Sequence, residues 1–240
     1  MMIPYLGEKS KFSDFIIPNI PQNFSTYVEP FGGMFGIFFC LDLSIYPNSM
    51  FIYNDYNYLN YNLFRHLKNQ EFLEFIKIYD VNEDVYERAK IDIYTSNDFY
   101  KAFYWLVMLS CSKSQIDVMN GQWGGKYQFN ILKYKFSQNK EYLNRIDKVY
   151  NFDYNDIIKK YDSNTTFFYV DPPYYGKEDY YTNHNFTKSE HINLSETLKK
   201  INGKFAFSYL YFKDLETWYK DYRLLSIQTP FGKECLIMNY

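Results

Sequence analysis

Thr166-Phe167-Phe168-Tyr169-Val170-Asp171-Pro172-Pro173-Tyr174 is the stretch that decides the fold. Its first five residues are a short apolar run and read as a strand buried in a parallel sheet. Two prolines then stop the strand and stiffen the turn, because each fixes φ and lacks an N–H. Asp171 therefore stands at the carboxyl end of a strand, where open α/β sheets build their ligand sites. A carboxylate, a backbone carbonyl and an aromatic face lie close together there. That set suits gripping an exocyclic amino group on a flat base. The competing reading is a plain strand-ending turn with an aromatic lid, and the surrounding sequence decides between them.

Upstream, Tyr27-Val28 ends a strand. It is followed by the glycine-rich turn Glu29-Pro30-Phe31-Gly32-Gly33-Met34-Phe35-Gly36 and an apolar helix expected over 37–43. Met50–Tyr53 reads as a second strand ending in Asn54-Asp55, and the 3.6-residue spacing of Leu59, Leu63, Phe64 and Leu67 predicts a helix over 57–68. This β-α-β-α order marks a doubly wound sheet. Between 70 and 150 helical patterns dominate (72–79, 83–93, 98–111), with a polar, turn-rich loop or hairpin from Ser112 to Asn130. The sheet pattern resumes with strands at 150–154, 166–170, 204–209, 222–228 and 233–239, and with helices at 188–200 and 213–220. The organisation expected is one α/β domain, 1–68 and 150–240, with residues 69–149 as an insertion.

Composition narrows the class. The 240 residues suffice for a substantial core. Tyr and Phe are so abundant, 28 and 23, that no single one carries weight alone. No apolar run approaches the ~20 residues that span a bilayer. The first twenty residues lack the charged start and cleavage site of a secretion signal, so a cytoplasmic protein is expected. Cys40, Cys111 and Cys235 have no CxxC spacing, and His66, His184 and His191 are scattered, so no metal site is expected. The net charge of −2 argues against a generally basic surface. A nucleic-acid partner would need charge to be segregated locally.

Glycines in the turn after the first strand let backbone approach a ligand and tighten the entry to a helix. Asp55, at the end of the second strand, is placed to accept hydrogen bonds from ribose hydroxyls, or else to cap the next helix. Together they describe a nucleoside-binding crevice, and no Walker lysine accompanies them. Tyr5-Leu6-Gly7-Glu8-Lys9 offers a ring and an ammonium, suited to a cofactor that carries a carboxylate.

These pieces resemble the D12-class, Dam-like family of DNA adenine-N6 methyltransferases across nearly the whole chain. PYLGEKSKF is similar to the family's N-terminal cofactor motif, and YVEPFGGMFGIFF to its cofactor loop. IYNDYN is similar to its ribose-binding strand end, and DPPYYG to its catalytic loop. GKFAFSY and ECLIMNY are similar as well. Glu8 and Phe35 depart from the pattern, each standing where a glycine is usual. Phe35 would crowd the cofactor unless the loop shifts by one residue to use Gly36.

The resemblance implies a Rossmann-like S-adenosylmethionine-dependent methyltransferase with a small, mostly helical target-recognition insertion. Glu29, Pro30, Phe31, Gly32 and Gly33 would line the methionine end of S-adenosylmethionine, with Lys9 and Tyr5 closing over it. Asp55 would hold the ribose, Asp153 and Tyr154 the adenine. Asp171 and Pro172 would accept the hydrogens of the target amine, with Pro173 stiffening the turn and Tyr174 stacking on a flipped-out base. Lys113, Lys126, Lys133 and Lys135 are candidates for phosphates, and Asn120, Gln122 and Tyr127 for bases. Segment 176–186, with Tyr180, Tyr181 and His184, would close over the base. The expected reaction is methyl transfer to N6 of adenine in double-stranded DNA. Cytosine N4, RNA adenine and a catalytically silent relative are the alternatives. A cognate restriction endonuclease is one candidate partner, against an orphan or phage role, and the chain is expected as a monomer or weak dimer.

Overall fold

The computed structural model describes residues 3, 9–114, 117–175, 186–230 and 232–240. The chain opens with helix α1 (Ser13–Ile16), strand β1 (Thr26–Glu29), strand β2 (Met50–Asn54) and helix α2 (Tyr58–Leu67). Five helices follow: α3 (Gln70–Ile78), α4 (Glu83–Asp92), α5 (Asp98–Cys111), α6 (Tyr127–Gln138) and α7 (Lys140–Arg145). Then come β3 (Ile146–Tyr150), α8 (Tyr154–Tyr161), β4 (Thr166–Val170), α9 (Lys188–Leu198) and β5 (Lys204–Leu210). Helix α10 (Asp214–Trp218) and the hairpin β6 (Arg223–Thr229) and β7 (Gly232–Met238) complete the fold.

The strands form one sheet in the order β3-β2-β1-β4-β5-β7-β6. Strands β1 to β5 are parallel, and β7 runs antiparallel to both neighbours. This is a doubly wound sheet whose connections change direction between β1 and β4, the place where such sheets open a crevice. Successive side chains along each strand point to opposite faces. Tyr27, Phe51 and Phe167 share one face, and Val28, Ile52, Phe168 and Phe205 the other. β4 lies between β1 and β5 and is buried at all five positions, which is why its sequence is apolar without alternation.

The two faces are covered differently. Helices α8, α9 and α10 pack Ile157, Leu194 and Leu215 on the Val28 face. The other face carries α2 and the expected insertion, and Phe72, Phe103 and Phe129 belong to the same apolar cluster as Tyr27 and Phe51. α2 and the first insertion helices start where asparagines allow: Asn57, Asn69, Asn82 and Asn97 each accept a backbone N–H of the first turn of α2 to α5. Each such cap contributes about 1 kcal/mol.

Three elements differ from expectation. The strand expected at 150–154 lies at 146–150, so the sheet resumes at Ile146. β3 is an edge strand with exposed Asp147 and Lys148, and its polar face hid it. The aromatic alternation after Tyr150 is instead the entry to α8, capped by Asp153. Residues 37–43 form short 3-10 turns, not a helix. Among its described residues the polar segment is bridged between Ser112 and Trp123, and α6 already begins at Tyr127.

Candidate active site

The ends of β1, β2, β3 and β4 lie along one edge of the sheet, because those strands run parallel. β1 delivers the glycine-rich turn, and β2 ties it down. Gly32 N–H donates to the Asn54 carbonyl at 2.7 Å, and Gly33 N–H to Asp55 Oδ2 at 2.7 Å. The Tyr53 hydroxyl donates to the Gly33 carbonyl at 2.9 Å. A Cβ on Gly32 would lie 2.5 Å from the Tyr53 ring and 2.8 Å from the Asn54 carbonyl, so only glycine fits there. Phe35 has φ 56°, in the left-handed region that favours glycine. Its ring is fully enclosed by Phe38, Tyr53 and Phe64, so it occupies the core and does not line the surface of the turn.

Asp55 holds the turn and the start of α2 together, since its Oδ1 also accepts from Asn57 N–H at 2.7 Å. Burial outweighs these hydrogen bonds and pushes its pKa up to about 6. Glu29 is buried, accepts from the Tyr27 hydroxyl at 2.7 Å and from Phe38 N–H at 3.2 Å, and is raised well above the usual carboxylate range by burial. The charge of Asp171 pushes it in the same direction.

Asn54, which the sequence reading passed over, is the joint of this edge. Its fully buried amide donates to the Pro30 carbonyl at 2.8 Å and the Phe152 carbonyl at 3.0 Å, and accepts from Phe152 N–H at 2.9 Å. One side chain thus fixes the glycine-rich turn against the segment after β3. In that segment Asp153 caps α8 through Asn155 N–H at 2.9 Å. Tyr154 is buried and stacks on Phe31, ring centroids 5.2 Å apart.

Asp171 leaves β4 partly exposed. The Lys9 ammonium lies 3.2 Å from its Oδ1, 2.5 Å from Glu234 Oε1, and against the Tyr174 hydroxyl. The Tyr174 hydroxyl in turn donates to Glu234 at 3.0 Å. Burial, reinforced by the charges of Asp171 and Glu234, holds the Tyr174 phenol well above its ordinary pKa. Behind the turn, Tyr209 on β5 accepts from Tyr175 N–H and donates to the Pro173 carbonyl at 3.4 Å, with His191 Nε2 3.1 Å away. Tyr169, one residue before Val170 on β4, keeps a buried hydroxyl with no hydrogen-bond partner among the described residues. Glu234, Tyr209 and His191 were not anticipated as part of this site. The available signal was Glu234 itself, a charge opening the apolar run Cys235-Leu236-Ile237-Met238.

The expected nucleic-acid contacts are distributed over the loop and α6. Lys113, Gln122 and Tyr127 are exposed. Asn120 bonds Asp117 at 3.0 Å, and Lys126 pairs with Asp80 at 2.6 Å. Lys133 caps the end of α3 through the Tyr79 carbonyl, and Lys135 is half-buried. Tyr5, Glu8, Tyr180, Tyr181 and His184 lie outside the described residues. Among the described residues no cluster of His, Cys, Asp and Glu is built to hold a metal, and no helix is long and apolar enough to cross a membrane.

A mostly parallel, doubly wound sheet with a glycine-rich turn after β1, a carboxylate after β2 and an Asp-Pro-Pro-Tyr turn after β4 at the switch point is consistent with a Rossmann-like methyltransferase fold. The chain belongs to the family of D12 class N6 adenine-specific DNA methyltransferases, whose profile matches residues 5–231. It is 28% identical over 210 residues to the Type II methyltransferase M.CviBI of Paramecium bursaria Chlorella virus NC1A, covering 82% of this chain and 76% of that protein. Among solved structures it is similar to the rRNA methyltransferase aviRa from Streptomyces viridochromogenes, at 10% identity and a TM-score of 0.41 over 98% of this chain and 85% of that one. That likeness is too weak to bear on the chemistry.

Proposed function

We propose that this adenine-specific DNA methyltransferase takes its methyl group from S-adenosylmethionine and delivers it to adenine N6 in duplex DNA, with the target base flipped into the crevice at Asp171. The observation that carries this reading is the convergence on one sheet edge of the Gly32-Gly33 turn, Asp55, Asp171 and Lys9. The residues fit the cofactor by donor type. Asp55 suits ribose hydroxyls and Asp171 favours a neighbouring positive charge, whereas the Lys9 ammonium, expected to close over the cofactor's carboxylate, is already paired with Glu234 and Asp171. Asp153 and Tyr154 flank the place expected for the adenine. When bound, the cofactor supplies an electrophilic methyl on a sulfonium.

The remaining chemistry falls to the chain. An exocyclic amine is a poor nucleophile because its lone pair is delocalised into the purine. Asp171 and the Pro172 carbonyl accept its two hydrogens and favour the pyramidal nitrogen that attacks in line. Such preplaced acceptors act mainly in the transition state. Asp171 need not be a strong base, since the proton becomes acidic once the methyl has moved. Tyr174 stacks on the base, offsetting part of the few kcal/mol that unstacking costs. The insertion expected over 69–149 supplies the target-recognition surface, with Lys113, Gln122 and Tyr127 exposed towards solvent on it. A role beside a restriction endonuclease follows the Type II name of the viral relative.

The test is transfer of a labelled methyl from S-adenosylmethionine to unmethylated genomic DNA, followed by digestion to nucleosides. Label in N6-methyl-2′-deoxyadenosine is expected. Label in N4-methylcytosine, or in RNA alone, overturns the reading.

A further inference from the structure

We propose that Glu234 is a positioning residue for methyl transfer: its carboxylate fixes the Tyr174 ring and shares the Lys9 ammonium with Asp171. The proposal rests on the reading of Asp171 to Tyr174 as the turn that grips the target amine.

Glu234 opens the buried part of β7, opposite Leu210 of β5, and is only 3% exposed. A buried carboxylate is costly unless it is paired and hydrogen-bonded. Here three donors converge on it: the Lys9 ammonium at 2.5 Å, the Tyr174 hydroxyl at 3.0 Å and the Ser208 hydroxyl at 3.1 Å. Nothing in the packing of β7 asks for this charge, since Cys235, Leu236, Ile237 and Met238 are fully buried and apolar. Replacing a buried ion pair by apolar side chains is often neutral or stabilising, so stability alone gives no reason for an acid here.

Its partners give the reason. Lys9 sits between two carboxylates and against the Tyr174 hydroxyl at the ring's edge. With Glu234 present the ammonium is shared between Glu234 and Asp171. Asp171 keeps acceptor capacity for an incoming amine. Without the Glu234 charge, Lys9 pairs with Asp171 alone and weakens it as an acceptor. The Tyr174 ring also loses its charged anchor. Both effects fall on the transfer step more than on the initial grip of DNA.

Glu234→Gln keeps the shape and removes the charge. Steady-state and single-turnover methylation of duplex DNA are measured for wild type, Glu234→Gln, Tyr174→Phe and the double variant, with a thermal melt for each. Expected for Glu234→Gln is a loss on the order of 10-fold in kcat, with KM for DNA changed less than about 3-fold, the pattern of an interaction realised in the transition state. The double variant is expected to fall short of the product of the two single losses, since residues in one network couple. Glu234→Asp is expected to recover part of the rate. A wild-type kcat in Glu234→Gln, or losses that simply multiply, overturns the proposal. If Glu234→Gln does not fold, Ser208→Ala carries the test: it removes one donor to the same carboxylate, is expected to lower kcat, and an unchanged kcat overturns the proposal. A wild-type enzyme that leaves DNA adenine unmethylated refutes the underlying reading instead, so the two failures are distinguishable.

Discussion

Phe35 and Asp55 show how single residues set the glycine-rich turn. Phe35 holds φ 56° at a position where the family pattern has glycine. A left-handed conformation costs a non-glycine residue about 1–2 kcal/mol. The ring repays this by filling the space between Phe38, Tyr53 and Phe64. Phe35→Gly should relieve the backbone yet open a cavity, for a net loss of about 2–3 kcal/mol in urea unfolding. A stabilised variant would show that the strain dominates. Asp55 has a pKa of about 6, above the ordinary 3.8, because of burial. The folded state therefore holds this proton more tightly than the unfolded chain does. Its contribution to stability is full below about pH 4 and is lost as pH rises through about 6. Cofactor binding should run the other way, because only the ionised acid accepts from both ribose hydroxyls. Calorimetry from pH 8 to pH 5 should show affinity for S-adenosylmethionine weakening below about 6, and Asp55→Asn should flatten that dependence. A flat wild-type profile would remove Asp55 from the ribose site.

At the scale of elements, the sheet edge is assembled by side chains that reach across strands. Asn54 joins the turn after β1 to the segment after β3 through three hydrogen bonds. Asn54→Ala orphans buried backbone groups and should cost about 3 kcal/mol, read as a lower urea midpoint with an unchanged slope; a loss below half that would show that water replaces the amide. This contrast explains what was legible in the sequence. β4 and its Asp-Pro-Pro-Tyr turn declare themselves locally, through an unbroken apolar run and two prolines. The asparagine caps of α2 to α5 are equally local. β3 was misplaced because an edge strand needs only one buried face. Asn54 and Glu234 went unrecognised because their partners are distant in the chain: Phe152 lies 98 residues from Asn54, and Lys9 lies 225 residues from Glu234. No local pattern encodes such pairs.

For the whole molecule, a net charge of −2 has to be reconciled with a DNA substrate. Part of the lysine cluster noted in the sequence serves the fold. Lys126 pairs with Asp80, and Lys133 donates to the Tyr79 carbonyl at the end of α3. Lys113 stays exposed on the loop. Lys113→Ala should therefore reduce the slope of log affinity against log salt by about 1, whereas Lys133→Ala should lower the melting temperature and leave that slope alone. Equal effects of the two on the slope would place α6 on the DNA as well. The helices between β2 and β3 also share one apolar cluster with the sheet, so they pack with it as one body.

The most direct test of the central claim, that the turn at the end of β4 is where the methyl is transferred, compares wild type with Asp171→Ala in one experiment. Cofactor affinity is measured by calorimetry and methyl transfer to adenine by single-turnover assay on the same preparations. The account predicts that Asp171→Ala still binds S-adenosylmethionine but transfers methyl at least ~10²-fold more slowly, the scale of loss for a preplaced transition-state contact. A variant that binds the cofactor and methylates adenine at the wild-type rate would contradict it.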